Sequence, residues 1–260
     1  MTTCTKRFLI GSGWKMHNTV AASLTLLRRL RDALGDFDAF PLFVLPPFTA
    51  LSAVGAALGP DNLIRFGAQN MHWRESGPYT GEIAAPMLTE LGCRYVELNH
   101  QERRACCGET NETANRKVLA ALAHGLTPIL CLGEERILPE EGLRAFLREQ
   151  VSELLRDVAP ERVADIVFAY EPRWAIGVAE AASPAHVAKV HGLIRETLGG
   201  SFGAKAAREA CVIYGGSVDR TNAVELALQD GVDGLFIGRS GLDGDVFATI
   251  IRDVERALRV

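Results

Sequence analysis

Nothing in this 260-residue chain is built to cross a bilayer. No apolar run approaches the ~20 residues of a membrane span. Phe8-Leu9-Ile10, behind Lys6 and Arg7, is too short for the core of a secretory leader before Gly11 intervenes. A cytoplasmic protein without membrane contact is the expectation. Positive charge is scarce as well: 28 Lys and Arg against 32 Asp and Glu leave a net charge of −4. That balance argues against nucleic acid or an anionic surface as partner. A small anionic substrate would need a local positive site. Metal-ligand spacing is missing. The six cysteines (Cys4, Cys93, Cys106, Cys107, Cys131, Cys211) contain no C-x-x-C. The six histidines (His17, His72, His100, His124, His186, His191) show no paired spacing. Neither a metal nor a cofactor is expected. Cys131 and Cys211, inside apolar strand-like runs, read as buried reduced thiols; the adjacent Cys106 and Cys107 are the redox-sensitive candidates. No G-x-G-x-x-G follows the first strand signal, which disfavours a doubly wound dinucleotide fold.

What is present is a regular alternation of strand and helix signals in a chain of ordinary globular composition, 48% hydrophobic and 23% charged. Strands are expected at Arg7–Ile10, Pro41–Leu45, Leu63–Ala68, Tyr95–Leu98, Thr127–Leu132, Ile166–Tyr170, Cys211–Tyr214 and Gly234–Ile237. Helices are expected near Val20–Leu34, Thr49–Leu58, Ala85–Leu91, Thr113–His124, Leu143–Val158, Pro184–Leu198, Thr221–Leu228 and Asp243–Leu258. Eight strand–helix pairs without a long linker predict an α/β fold in which residues 1–260 form a single (β/α)8 barrel domain.

In such a barrel the chemistry lies at the C-terminal ends of the strands. Ser12-Gly13-Trp14-Lys15 follows the first, Asn99-His100-Gln101-Glu102-Arg103 the fourth, and Glu171 the sixth. Gly215-Gly216-Ser217 and Gly238-Arg239-Ser240 follow the last two. A cation, an imidazole, a carboxylate and a glycine-rich anion cradle therefore converge on one mouth. Glu171 is delivered by a buried strand, stopped by Pro172, and followed by an apolar segment, Trp174–Gly177, that could close over a ligand. A base beside a water-excluding flap suits proton abstraction from carbon.

These residues carry a resemblance to the triosephosphate isomerase family. The matching motifs are Trp14-Lys15-Met16, Gly67-Ala68-Gln69-Asn70, Thr80-Gly81-Glu82-Ile83, His100-x-Glu102-Arg103-Arg104, Cys131-x-Gly133-Glu134, Tyr170-Glu171-Pro172-x-Trp174-Ala175-Ile176-Gly177 and Tyr214-Gly215-Gly216-Ser217. They run in family order across nearly the whole chain. The resemblance implies that Glu171 is the carbon base, His100 a neutral electrophile, and Lys15 the group that balances enediolate charge and attracts the phosphate. The roles of base and imidazole are carried over from a family that is itself a standard example of acid–base tuning. Glu102 is implied to pair with Lys15 or orient its neighbours. Gly177, Ser217 and Gly238, with Gly215, Gly216 and Arg239 beside them, are implied to hold the phosphate. The segment Gly77–Gly81 resembles the family's interdigitating loop, with Thr80 reaching a partner's site, so a homodimer is implied.

The pattern also departs from the family. Gly13 stands where Asn is usual, Asn99 where Gly is usual, Gln101 where Ser is usual, and Ala179-Glu180-Ala181 where the flap usually ends in Gly-Lys-Thr. Arg239 replaces the second residue of a Gly-Gly pair. Loss of the Asn side chain at Gly13 would leave space for a hydroxymethyl group beyond the second reacting carbon. With Asn70-Met71-His72-Trp73 and Gly234–Ser240, this makes the chain look most like the tetrulose-phosphate branch. The leading expectation is therefore interconversion of L-erythrulose 1-phosphate and D-erythrulose 4-phosphate. The alternatives are an authentic triosephosphate isomerase and a non-catalytic sugar-phosphate binder. An aldolase with a Schiff-base lysine at Lys15 is a further rival.

Overall fold

The computed structural model describes residues 8–60, 62–178 and 181–259. Eight parallel strands form a closed barrel in sequence order: β1 (Leu9–Gly13), β2 (Leu42–Leu45), β3 (Ile64–Ala68), β4 (Tyr95–Leu98), β5 (Thr127–Leu132), β6 (Val167–Tyr170), β7 (Cys211–Tyr214) and β8 (Gly234–Ile237). Around it lie α1 (Val20–Leu34), α2 (Leu51–Leu58), α3 (Ala85–Glu90), α4 (Gln101–Cys107), α5 (Asn111–Ala123), α6 (Glu140–Leu154), α7 (Pro184–Phe202), α8 (Ala204–Glu209), α9 (Ala223–Ala227) and α10 (Gly244–Leu258).

The strands are short apolar runs because both their faces are covered. Side chains alternate inward and outward. Leu9, Phe43, Ile129, Val167, Ile213 and Phe236 fill the barrel, while a larger outer cluster is shared with the helices. One close approach decides how the centre is filled. A Cβ on Gly11 would lie 2.2 Å from the Phe43 ring, so only glycine lets that ring occupy the axis. The register pairs Ile10 with Leu42, Cys131 with Ala169 and Tyr170 with Tyr214, and β1 closes on β8 through Ile10 and Leu235. The helices pack by ordinary amphipathic logic. In α1, Leu26, Leu27, Leu30 and Leu34 share the buried face, and the Thr19 side chain accepts the Ala22 N–H at its start. In α10, Phe247, Ile250, Ile251 and Val254 do the same behind an Asp243 cap.

The sequence-derived strand positions agree with these elements to within a few residues at their ends. One difference matters for the site: β1 runs through Gly13, so Gly13 is a strand residue and the loop begins at Trp14. Arg7 and Cys4 lie outside the described residues. α4 and α8 lie outside the expected helix spans, and α7 continues four residues past Leu198 before ending at Gly203, whose φ is +91°. Phe202 packs on the core and carries the helix across Gly199 and Gly200. Cys211 is only half-buried, because it opens β7 at the barrel's lower rim; Cys131 is buried as expected. No helix among the described residues is long and apolar enough to cross a membrane.

Candidate active site

Glu171 follows β6 directly and continues its ladder, donating its N–H to the Leu132 carbonyl at 2.7 Å. Val167 and Ala169 point into the barrel, so Glu171 does too. Glycines just past the ends of the two neighbouring strands make room for it. A Cβ on Gly133 would sit 2.2 Å from the Glu171 carbonyl oxygen, and one on Gly215 would sit 2.5 Å from Oε1. The residue is 3% exposed, and its Oε2 makes no hydrogen bond. Burial raises its pKa above the ordinary carboxylate value, against the opposing pull of His100 and Lys15. A carboxylate so desolvated is a stronger base than one in water.

His100 caps α4. Its Nδ1 accepts the Glu102 N–H at 3.1 Å, which leaves the proton on Nε2. That nitrogen lies 3.3 Å from Glu171 Oε2, but the pair is not aligned as a hydrogen bond. Burial pushes the imidazole toward neutrality; the Glu171 and Glu97 carboxylates pull its pKa up, and the net direction is upward. A second proton, however, would have to displace the Glu102 N–H from Nδ1 and place charge at a helix start. We therefore assign the neutral Nε2–H tautomer. The turn is held from below. Asn99 has a φ of +64°, a left-handed conformation that explains why glycine is the usual residue and why asparagine is tolerated. Its amide donates to the Cys131 carbonyl and accepts from Arg104, both at 2.8 Å. The Gln101 amide donates to the Gly133 carbonyl at 2.8 Å. Buried Glu109 accepts from the Asn99 N–H, Arg103 and Lys117 at 2.8, 2.9 and 2.7 Å.

Lys15 reaches the same mouth from the loop after β1. Its Nζ meets Glu102 Oε1 at 2.5 Å. Its backbone has a φ of +50°, costly for a side-chain-bearing residue. The Gln69 amide holds that turn, donating to the Lys15 carbonyl at 3.0 Å and the Leu45 carbonyl at 2.9 Å. Gln69 stood in a recognised motif, but its part in positioning Lys15 depends on two distant loops meeting.

The flap begins with a single 3-10 turn, Arg173–Ala175, behind Pro172. Glu134 anchors it: Oε1 accepts from Trp174 Nε1 at 2.7 Å and from Tyr170 Oη at 3.0 Å. On the other side Ser217 donates its N–H to the Ala175 carbonyl at 3.0 Å, and its hydroxyl contacts the Ala175 and Val178 carbonyls. This alters the expected phosphate cradle. The N–H groups of Ser217 and Gly215 are committed to protein, Gly215 donating to Tyr170 at 2.9 Å. Among the described residues, the N–H groups of Gly177, Gly216 and Gly238 have no protein partner and remain available. Arg239 is exposed at the rim and forms no ion pair among the described residues. Ala179 and Glu180 of the far hinge lie outside the described residues. Thr80 is exposed on its loop.

Sequence reasoning missed Glu97. It lies on β4, inward-facing and 7% exposed, with Oε1 4.0 Å from His100 Nε2 and 4.0 Å from Cys131 Sγ. Burial, aided by the Glu171 charge, pushes its pKa up to about 7, against His100 and Lys15. The available signal was a lone carboxylate in a strand whose two faces are both covered. Ligand atoms of Glu97, His100 and Glu171 lie within 4.8 Å of one another, a grouping that side-chain spacing along the chain did not suggest. Gly13 also differs from expectation. A Cβ there would stand 3.2 Å from Phe236 Cζ and 3.9 Å from Glu97 Oε2, so the space left by the missing side chain is shallow and bounded by those two groups.

The sequence profile described as triosephosphate isomerase matches residues 8–254. The triosephosphate isomerase of Chloroflexus aurantiacus is 43% identical over 244 residues, 94% of this chain and 97% of its own. That of Moorella thermoacetica is 43% identical over 248 residues, 95% and 98% of the two chains. The crystal structure of triosephosphate isomerase from Bartonella henselae superposes with a TM-score of 0.84 at 35% identity, covering 96% of this chain and 99% of that one. With the closed eight-stranded barrel already in view, matches of this length and completeness make the chain a member of the triosephosphate isomerase family of isomerases.

Proposed function

We propose that this protein interconverts an aldose and a ketose triose phosphate, glyceraldehyde 3-phosphate and dihydroxyacetone phosphate, through an enediolate. The observation that carries the reading is the meeting of Glu171 Oε2 and His100 Nε2 at 3.3 Å, neither committed to the other, in a buried mouth that also feels the Lys15 charge. Glu171 removes a proton from the carbon beside the carbonyl, and the electron pair moves onto the carbonyl oxygen. His100 donates Nε2–H toward that oxygen, and the Lys15 ammonium balances its charge. Glu171 returns the proton to the neighbouring carbon, while the oxygen-bound proton is relayed through His100. The free N–H groups of Gly177, Gly216 and Gly238 suit a phosphate dianion. The names of the relatives favour the triose substrates over the four-carbon ones that the sequence led us to expect.

The test is proton exchange. In D2O the wild type incorporates deuterium at substrate carbon, and Glu171→Gln loses exchange and turnover by roughly 10²–10⁴-fold while keeping phosphate-analogue binding. Exchange at the wild-type rate in that variant refutes the base assignment; no exchange in the wild type leaves a binder. A borohydride-trapped adduct on Lys15 would instead indicate an aldolase.

The four-carbon substrate L-erythrulose 1-phosphate is the second reading, and the floor at Gly13 leaves it little room, because a Cβ there would already stand 3.2 Å from Phe236 Cζ. Either substrate fits a homodimer in which the exposed loop bearing Tyr79 and Thr80 enters a partner; Met16, 97% exposed after β1, offers a further apolar contact. A monomer mass in sedimentation equilibrium at micromolar concentration rejects that assembly.

A further inference from the structure

We propose that His186 is a positioning residue for the flap: its Nε2–H donates to the Tyr170 hydroxyl and so steadies the Glu134 anchor from the helix on which the flap ends. The inference deepens the proposed function, since it concerns the cover over the enediolate.

The chain leaves the barrel for the flap at Tyr170 and comes back at Ala182 and Ser183. Ala182 donates its N–H to Tyr214 Oη at 3.3 Å. Ser183 caps α7, its hydroxyl accepting the His186 N–H at 3.3 Å. That cap fixes His186 in the first turn of the helix. From there the ring reaches back to the start of the flap. Its Nε2 lies 3.0 Å from Tyr170 Oη, and the ring meets Trp174 edge to face, with centroids 5.3 Å apart and planes at 77°. One half-buried imidazole thus ties the flap's departure to its return.

The direction of the bond follows from counting protons. Glu134 Oε1 is an acceptor, because it takes the Trp174 indole N–H at 2.7 Å. The single Tyr170 hydroxyl proton therefore points to that oxygen, at 3.0 Å. Toward His186 the hydroxyl can only accept, so the imidazole carries its proton on Nε2. The opposite tautomer would set two lone pairs against each other in a buried site. Burial holds the His186 pKa below the ordinary imidazole value, opposed by Glu134 and aided by Lys189, so the ring is neutral at pH 7 and has one N–H to give. The result is a relay from His186 through Tyr170 to Glu134, which meets the Trp174 indole at the same oxygen. Each bond in such a chain polarises the next. Glu134 has few other supports: it is 1% exposed, and among the described residues its Oε2 has no hydrogen-bond partner.

A looser anchor lets the flap open while the enediolate is still present. Its oxygen then reforms a carbonyl, the double bond shifts, and the C–O bond breaks with its electron pair leaving on phosphate. Phosphate release therefore reports on the flap where a purely structural residue would leave it unchanged.

The experiment compares wild type, His186→Phe, His186→Gln, Tyr170→Phe and the double variant carrying both phenylalanines. It reads amide hydrogen exchange of residues 173–178 without ligand, the Kd of glycerol 3-phosphate, and inorganic phosphate released per glyceraldehyde 3-phosphate isomerised. His186→Phe keeps a ring against Trp174 and loses the donor. It should speed flap exchange, weaken glycerol 3-phosphate and raise phosphate release by about 3- to 10-fold each, the effect of one hydrogen bond. His186→Gln restores an N–H and should stay within about twofold of wild type. With Tyr170→Phe in place the relay is already cut, and His186→Phe should add nothing. Unchanged flap exchange in His186→Phe refutes the inference. Losses in His186→Gln equal to those in His186→Phe refute it too, because the ring and not the donor would then be the cause. Additive losses in the double variant refute the route through Tyr170. A wild type that turns over no triose phosphate removes the proposed function, and flap exchange with glycerol 3-phosphate binding still decides the role of His186.

Discussion

Replacing Glu97 by leucine should make the protein more stable, and increasingly so as pH rises from 4.5 to 7. The carboxyl is buried without an ion-pair partner, and its pKa moves from the ordinary 4.5 up to about 7. Below pH 4.5 the folded and unfolded chains both hold the proton. Between 4.5 and 7 the unfolded chain releases it while the folded one keeps it, so folding stability falls as pH increases; above 7 the loss is complete. At about 1.4 kcal/mol for each pH unit, the loss reaches on the order of 3 kcal/mol. For a chain of this size that corresponds to roughly 6–12 °C in Tm. Leucine abolishes the titration. Thermal melts of wild type and Glu97→Leu at equal protein concentration, from pH 4.5 to 8, should show the variant's advantage widening to a plateau near neutrality. A constant gap across that range, or a variant that melts below the wild type throughout, refutes the claim that an unpartnered carboxyl lies in the barrel.

Two further substitutions probe the machinery around the mouth. Gln69→Ala removes the clamp on the left-handed turn at Lys15 and should lower kcat/KM by about 10- to 100-fold with little change in overall secondary structure, since a displacement of about 1 Å carries that cost; unchanged kinetics would show that Lys15 needs no such support. Trp174→Phe deletes the indole hydrogen bond to Glu134 and should destabilise the closed flap by about 1 kcal/mol, read as a several-fold weaker binding of a phosphate analogue with exchange chemistry retained. Equal affinity in the two proteins counts against Glu134 as the anchor.

The barrel was readable because each strand is a compact apolar run with both faces covered, as in Thr127–Leu132 and Cys211–Tyr214, whose limits match the structure. α4 was harder to see. It has seven residues, ends in Cys106-Cys107-Gly108, and is capped by a histidine in place of the usual Ser, Thr or Asp. The end of α7 was misplaced because Gly199-Gly200 reads as a stop, whereas the packing of Phe202 overrides that local signal. In the site, Lys15, His100 and Glu171 could be placed at strand ends from sequence order. Three other features could not. Glu97 in Tyr-Val-Glu-Leu looks like an ordinary outward-facing polar residue until the barrel closes. The clamp by Gln69 exists only when the loops after β1 and β3 meet at the end of β2. The depth of the hollow at Gly13 depends on Phe236, more than two hundred residues away in the chain.

The clasp between Ser217 and the backbone of Ala175 and Val178 has a consequence for traffic through the mouth. An incoming dianion that takes the Ser217 N–H must displace a flap carbonyl from it. Occupancy by phosphate and the posture of residues 173–178 are thus two sides of one exchange equilibrium. On the proposed function, a phosphorylated compound that fits the rim without reacting would shift that equilibrium and compete with the substrate.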